Sequence, residues 1–351
     1  MTKRLLVTGG AGFIGSTVAL AAAATGEWEV VVCDNLRRRG SELNLPRLRA
    51  AGVAFEHADV RHLDDLLALG AFDALVECSA EPSVMAAVDG SGQYVVDTNL
   101  VGAHHCLEAA ARHGAHVVFL STSRVYPLRH LNGLALDETA TRMTMAQEQP
   151  VPGASEHGIG EAFPLDGART LYGTTKLAGE LLVAEYGESH GIATTINRCG
   201  VVAGPWQMGK VDQGVFTHWM KSIMAGQPLS YIGFGGTGKQ VRDLLHVDDL
   251  TDLILRQLAD PQRWDGTTFN VGGGVDCSLS LLETTALCAE IVGREVEVSG
   301  IPETRVGDVP IYVSDCRAIF AHDDWRPTRS ARRVLEDIHA WLRDHGASVP
   351  G

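Results

Sequence analysis

Tyr172 and Lys176 stand four residues apart in "LYGTTK", and on a helix that spacing puts both side chains on one face. A phenol with its ordinary pKa of about 10 is a poor base, but a fixed ammonium beside it favours the phenolate. A cationic nicotinamide would favour it further. The pair therefore reads as the proton acceptor of an alcohol oxidation. The same spacing also occurs on ordinary solvated helix faces, so its meaning depends on a redox partner elsewhere in the chain.

"LLVTGGAGFIGS" supplies the sign of that partner. Gly9, Gly12 and Gly15, with Phe13 and Ile14 between the last two, form a glycine turn from a first strand into a first helix. Such glycines let the backbone approach a pyrophosphate, and the helix N-terminus favours its negative charge. A second strand, "VVVCDN", ends in Asp34 and Asn35, where a carboxylate can accept hydrogen bonds from the ribose hydroxyls of an adenosine. That carboxylate repels a 2′-phosphate and favours NAD, although Arg37, Arg38 and Arg39 leave NADP open. "HADVR" places Asp59 and Val60 at the end of the third strand, either at the adenine edge or, for Asp59, as the cap of the next helix.

A second glycine-rich stretch, "GFGGTGKQVRD", comes within one residue of a nucleotide-triphosphate loop. Gln240 stands where a hydroxyl should hold magnesium, and "QVRDLLHV" alternates as a strand or loop does rather than opening a helix. A triphosphatase is disfavoured.

Composition narrows the field further. Forty-three acidic against twenty-nine basic residues give a formal charge of -14, which disfavours nucleic acid and anionic membranes as partners. The seven cysteines have no C-x-x-C spacing, and the histidines offer no H-E-x-x-H pair. Neither a disulfide framework nor a metal site is expected, and a reducing, cytoplasmic setting fits. "MTKRLLVTGG" lacks the apolar run of a signal sequence, and no run reaches membrane-spanning length.

The elements that must position these residues follow one rhythm over the first two hundred positions. β-branched runs at Leu5–Val7, Val30–Cys33, Val53–Phe55, Ala74–Val76, Val117–Leu120 and Thr194–Ile196 alternate with helical stretches, which stop at Gly26 and Gly114. Alternation of this kind predicts an α/β Rossmann-type, doubly wound parallel sheet. The dinucleotide domain is expected over 1–200, with contributions from about 240–275. A smaller α/β lobe over 201–351 would bind the substrate. Residues 127–169 interrupt the pattern, too long for a plain connection.

With these pieces together, the chain resembles the extended short-chain dehydrogenase/reductase family, the group of nucleotide-sugar epimerases and dehydratases. The resemblance runs through the glycine turn, "CSAEPSV", "TNLVG", "STSRVY", the Tyr-Lys pair, "GKQVRDLLHVDD", "FNVGGG" and "RVGDVP". It implies that Thr122 bonds the reacting hydroxyl, with Ser123 as the weaker candidate, and that Ala80, Asn99 and Cys199 join the cofactor site. It assigns the diphosphate to Arg242 and Arg305, with Lys239 in the same loop. Glu81, Ser83, Met85, Gln207, Asp212 and Gln213 fall near the expected sugar or base. Relatives pair through two helices, which here would be Tyr94–Arg112 and Tyr172–His190, so a homodimer or homotetramer is expected.

One departure selects among reactions. The family's dehydratases carry carboxylates in S-T-D-E-V-Y, whereas here the string is Ser121-Thr122-Ser123-Arg124-Val125-Tyr126. An arginine cannot take a carbon-bound proton at neutral pH. Within the family, "GPWQMGKVDQGVF" and the insertion after "VY" resemble the epimerases acting at C2 of CDP-sugars more than the 4-epimerases of UDP-sugars. The implied cycle oxidises C2 with Tyr172 as base, lets the keto sugar turn, and returns hydride to its other face. A 4-epimerase, a one-way reductase and a non-catalytic NAD-binding regulator are the alternatives.

Overall fold

The β-branched runs become parallel strands because both of their faces are covered, which is why they read as continuous apolar stretches rather than alternating ones. In the computed structural model, which describes residues 2–83, 91–209 and 214–346, the first five strands are β1 (Lys3–Thr8), β2 (Trp28–Asp34), β3 (Ala54–His57), β4 (Ala74–Glu77) and β5 (His116–Thr122). Strands Thr194–Cys199 and Thr267–Val271 extend the sheet beyond β5. The order is Thr267–Val271, Thr194–Cys199, β5, β4, β1, β2, β3, every pair parallel. Chain direction across the sheet reverses between β1 and β4, and a crevice opens there at the carboxyl ends of the strands.

Helices pack on both faces. Val18, Ala19 and Ala22 of α1 (Phe13–Thr25) meet Leu250, Leu253 and Ile254 of helix Val247–Ala259 on one side. On the other, Leu107 and Ala110 of helix Gly102–His113 meet Val183 and Tyr186 of helix Leu171–His190. The expected stops hold: Gly26 (φ 72°) and Gly114 (φ 62°) end their helices in the left-handed conformation, where a side chain would be strained.

A second sheet lies beside the first. Strand Val241–His246 pairs in parallel with Val201–Ala203 and Ile311–Tyr312 and antiparallel with Ser278–Ser280. The glycine-rich loop thus leads into a strand, not a helix, and a triphosphate cradle cannot form. Residues 127–169 build a small excursion of their own, with two short hairpins and a core in which Leu131, Leu134, Ile159 and Phe163 pack against Ile311 and Val313. Arg142 pins it to the C-terminal lobe through a salt bridge to Glu283 (2.5 Å). Among the described residues no helix is long and apolar enough to cross a membrane, and no group of three His, Cys, Asp or Glu side chains could hold a metal ion.

Candidate active site

Between the carboxyl ends of β1, β4 and β5 and the second sheet lies a cavity of about 1130 Å³. One end is lined by Gly9, Gly12, Phe13, Ile14, Gly15 and Asp34. The other end is lined by Thr122, Ser123, Arg124, Tyr172, Lys176, Arg242 and Arg305.

The first end fits a dinucleotide on its own geometry. Gly12 caps α1 without any side-chain hydrogen bond, so the first amides of the helix remain available to an anion. A Cβ on Gly15 would stand 2.4 Å from the Gly9 carbonyl oxygen, and one on Gly9, at φ +62°, would stand 2.7 Å from the Cys78 oxygen. Neither position admits another residue, so the turn stays bare. The Asp34 carboxylate accepts hydrogen bonds from the amides of Ala11 (3.2 Å) and Leu36 (2.8 Å), which fix it at the cavity wall. Asn35 and Val60 line the same end together with Tyr94, whose ring carries the Arg37 guanidinium 3.9 Å from its centroid. Tyr94 was outside the sequence-derived cofactor set, because in the sequence it reads as one more helical residue.

At the other end, Thr122 is the last residue of β5, and Tyr172 and Lys176 sit in the first turns of helix Leu171–His190. Thr170 caps that helix by accepting a hydrogen bond from the Gly173 amide (3.3 Å). Burial raises the pKa of the Tyr172 hydroxyl above the ordinary phenol value, against the opposing pull of Lys176, a hydrogen bond with Thr122 and, more weakly, Arg124. Burial thus opposes the phenolate on which proton transfer would rely, while Lys176, Thr122 and Arg124 favour it. The sequence reading missed a residue that holds the lysine. Lys176 Nζ lies 3.1 Å from Glu77 Oε2, with both side chains only 3% exposed, so the carboxylate offsets the ammonium. Glu77 closes the otherwise apolar strand "ALVE", and that misplaced charge was its one signal in the sequence.

Arg242 is held from two sides. Its guanidinium pairs with Asp308 (2.7 Å) and donates to the Val309 carbonyl (2.8 Å). Arg305 lines the cavity from the same loop, as do Ala80, Glu81, Ser83 and Cys199 from the strand ends, and burial pushes the Cys199 thiol up to about 12. Gln207 lines the cavity with its amide already committed to the Val202 carbonyl (2.9 Å) and Thr217 (3.1 Å).

Three of the expected residues are engaged by the protein's own groups. Lys239 lies outside the cavity lining because its ammonium pairs with Glu138 of the excursion at 2.7 Å. Asp59 is engaged by Arg61 (2.6 Å) and Asn35 (3.0 Å), between the lining residues Ala58 and Val60. Asn99 sits behind the wall, where its side chain accepts from the Glu81 amide (2.7 Å) and donates to the Glu81 carbonyl (3.2 Å). It positions the β4 loop. Met85, Asp212 and Gln213 lie outside the described residues.

The profile of the NAD dependent epimerase/dehydratase family matches residues 5–272. The CDP-paratose 2-epimerase of Salmonella typhi is 29% identical over 347 residues, 96% of this chain and 98% of that protein. The dTDP-glucose 4,6-dehydratase of Mycolicibacterium smegmatis is 29% identical over 344 residues, 97% and 93% of the two chains. Among solved structures, the UDP-glucose 4-epimerase of Thermus thermophilus in complex with NAD has a TM-score of 0.76 at 27% identity, covering 97% of this chain and 99% of that one. The UDP-glucuronic acid 4-epimerase of Bacillus cereus, in complex with UDP-glucuronic acid and NAD, has a TM-score of 0.80 at 23% identity with the same coverage, a likeness of fold.

Proposed function

The chain belongs to the NAD dependent epimerase/dehydratase family, and from that premise we propose that this isomerase inverts C2 of a nucleotide-diphosphate sugar, with a CDP-sugar favoured. One observation carries the reading. Thr122, Tyr172 and Lys176 converge at the end of the dinucleotide groove, while the turn after β5 offers Arg124 in place of a carboxylate. Proton transfer from oxygen is provided for, and at this turn proton removal from carbon is not. The similarity to the Salmonella typhi 2-epimerase over 96% of the chain supports C2 and CDP. The similarity to the Thermus thermophilus structure supports C4 of a UDP-sugar as the second reading.

NAD, when bound along Gly9–Gly15 and Asp34, supplies the hydride acceptor and donor. Tyr172 takes the proton of the reacting hydroxyl, which Thr122 orients, and returns it after the sugar has turned. Lys176, steadied by Glu77, keeps the tyrosine side of the site positive and so assists deprotonation. Arg242 and Arg305 hold the diphosphate, since planar guanidinium groups match phosphate oxygens bidentately, and the keto sugar rotates on that tether. Two such chains would associate through the helical segments Tyr94–Arg112 and Tyr172–His190. The exposed Leu181 (68%) supports that arrangement.

The test is incubation with CDP-, GDP- and UDP-hexoses in deuterated water, followed by proton NMR. Inversion at C2 without deuterium incorporation is the expected result. Deuterium at the inverted carbon would require carbon deprotonation and overturn the mechanism, and inversion at C4 would select the second reading.

A further inference from the structure

Arg124 brings a positive charge to the catalytic end of the cavity that neither the cofactor nor the proton transfer requires. Its amide donates to Thr122 Oγ1 (3.2 Å), and its carbonyl packs so closely on the neighbouring helix that a Cβ on Gly173 would lie 2.0 Å away. The side chain thus leaves the backbone between the two hydroxyl-bearing residues, Thr122 and Tyr172. Burial lowers the guanidinium's pKa to about 10, Arg242 lowers it further and Asp308 at longer range partly offsets this, so at neutral pH it stays charged.

Its side-chain partner among the described residues is a neutral one, the Gly307 carbonyl, 2.9 Å from Nη1. No carboxylate pairs with it there. Arg242 differs in this respect, because it holds Asp308, the very next residue of the same loop, at 2.7 Å. Two guanidinium groups are therefore tied to adjoining residues of one loop that carries a single paired carboxylate, and Arg305 belongs to the same loop. A half-buried guanidinium that makes no direct ion pair, and that shares the more distant Asp308 carboxylate with Arg242, is unfavourable in the empty protein. It is accounted for if the missing anion arrives with the substrate.

We propose that Arg124 acts with Arg242 to bind the phosphate directly attached to the sugar, and thereby sets which sugar carbon meets Tyr172. The inference rests on the nucleotide-sugar reading above and adds the choice of carbon. A phosphate held at Arg124 is drawn to the Thr122 end of the cavity. The carbon beside the anomeric centre, C2, is then closest to the hydroxyl pair, while C4 lies across the ring.

The test compares CDP with CMP, UDP with UMP and GDP with GMP by calorimetry on the NAD-loaded protein, in the native form and in Arg124→Met and Arg124→Lys. The native protein should bind its diphosphate more tightly than the matching monophosphate. Arg124→Met should shrink that ratio about ten- to a hundredfold, as expected for a lost charge-assisted hydrogen bond, leave the monophosphate constant unchanged, and unfold at an equal or higher temperature. Arg124→Lys should recover part of the ratio. A ratio intact in Arg124→Met overturns the proposal and leaves the function standing. A lower melting temperature with both nucleotides weakened equally also overturns it, since Arg124 would then merely brace the loop at Gly307. If the native protein binds none of the six nucleotides, the nucleotide-sugar reading falls and takes this proposal with it.

Discussion

The two ends of the cavity are built on opposite plans. The cofactor end comes chiefly from the N-terminal glycine turn and β2, with Val60 and Tyr94 completing its wall: Gly9, Gly12 and Gly15 shape it, and Asp34, the last residue of β2, is held by two backbone amides. The substrate end is gathered from afar, with Arg124 bonding a carbonyl 183 residues away and Arg242 a carboxylate 66 residues away. Charge divides them as well. The carboxylate at the first end is satisfied by the protein, whereas Arg124, Arg242 and Arg305 line the second with Asp308 as the paired carboxylate of their loop. Backbone geometry therefore determines what is bound at one end, and a few side-chain charges determine it at the other. A family can keep the first and retune the second by single substitutions.

The largest effect should come from Tyr172→Phe. It removes the proton acceptor and should lower kcat by roughly 10²- to 10⁴-fold, while bound NAD, measured by absorbance after acid release, stays at the native level. Loss of NAD in this variant would mean that the two ends are not independent. The converse variant is Gly15→Ala, whose Cβ would meet the Gly9 oxygen at 2.4 Å. Retained NAD should fall about tenfold or more, a cost of about 1.4 kcal/mol or above, with diphosphate binding little changed. Unaltered NAD content would break the claim that bare backbone defines the cofactor end.

Glu77→Gln tests the smaller coupling between the ends. Tyr172 must be deprotonated to act, so activity falls as pH drops through its pKa, which burial raises. Neutralising Glu77 leaves the Lys176 charge unopposed and favours the phenolate, so the acid limb of the kcat/KM profile should move to lower pH by about one unit. A shift to higher pH would show that Glu77 serves to place the lysine rather than to temper its charge. A lower melting temperature should accompany the change, because Lys176 is left buried without its partner.

Much of this design was legible in the sequence. Period and punctuation gave the parallel sheet, the helix stops at Gly26 and Gly114, and the glycine turn followed by Asp34, because those features depend on residues close together in the chain. The Tyr172–Lys176 pair was legible for the same reason, since one helical turn relates its members. Glu77 was not, because its meaning depends on Lys176, which approaches only when β4 and helix Leu171–His190 pack together. The internal partners of Lys239 and Asn99 were not legible either, because Glu138 and the Glu81 backbone approach them only in the folded chain. Local backbone rules are written in consecutive residues, so the sequence by itself determined the fold and the cofactor turn. The pairing of charges depends on distances between strands and loops far apart in the chain, and tertiary structure alone decided which cations are satisfied and which, like Arg124, remain turned toward the cavity.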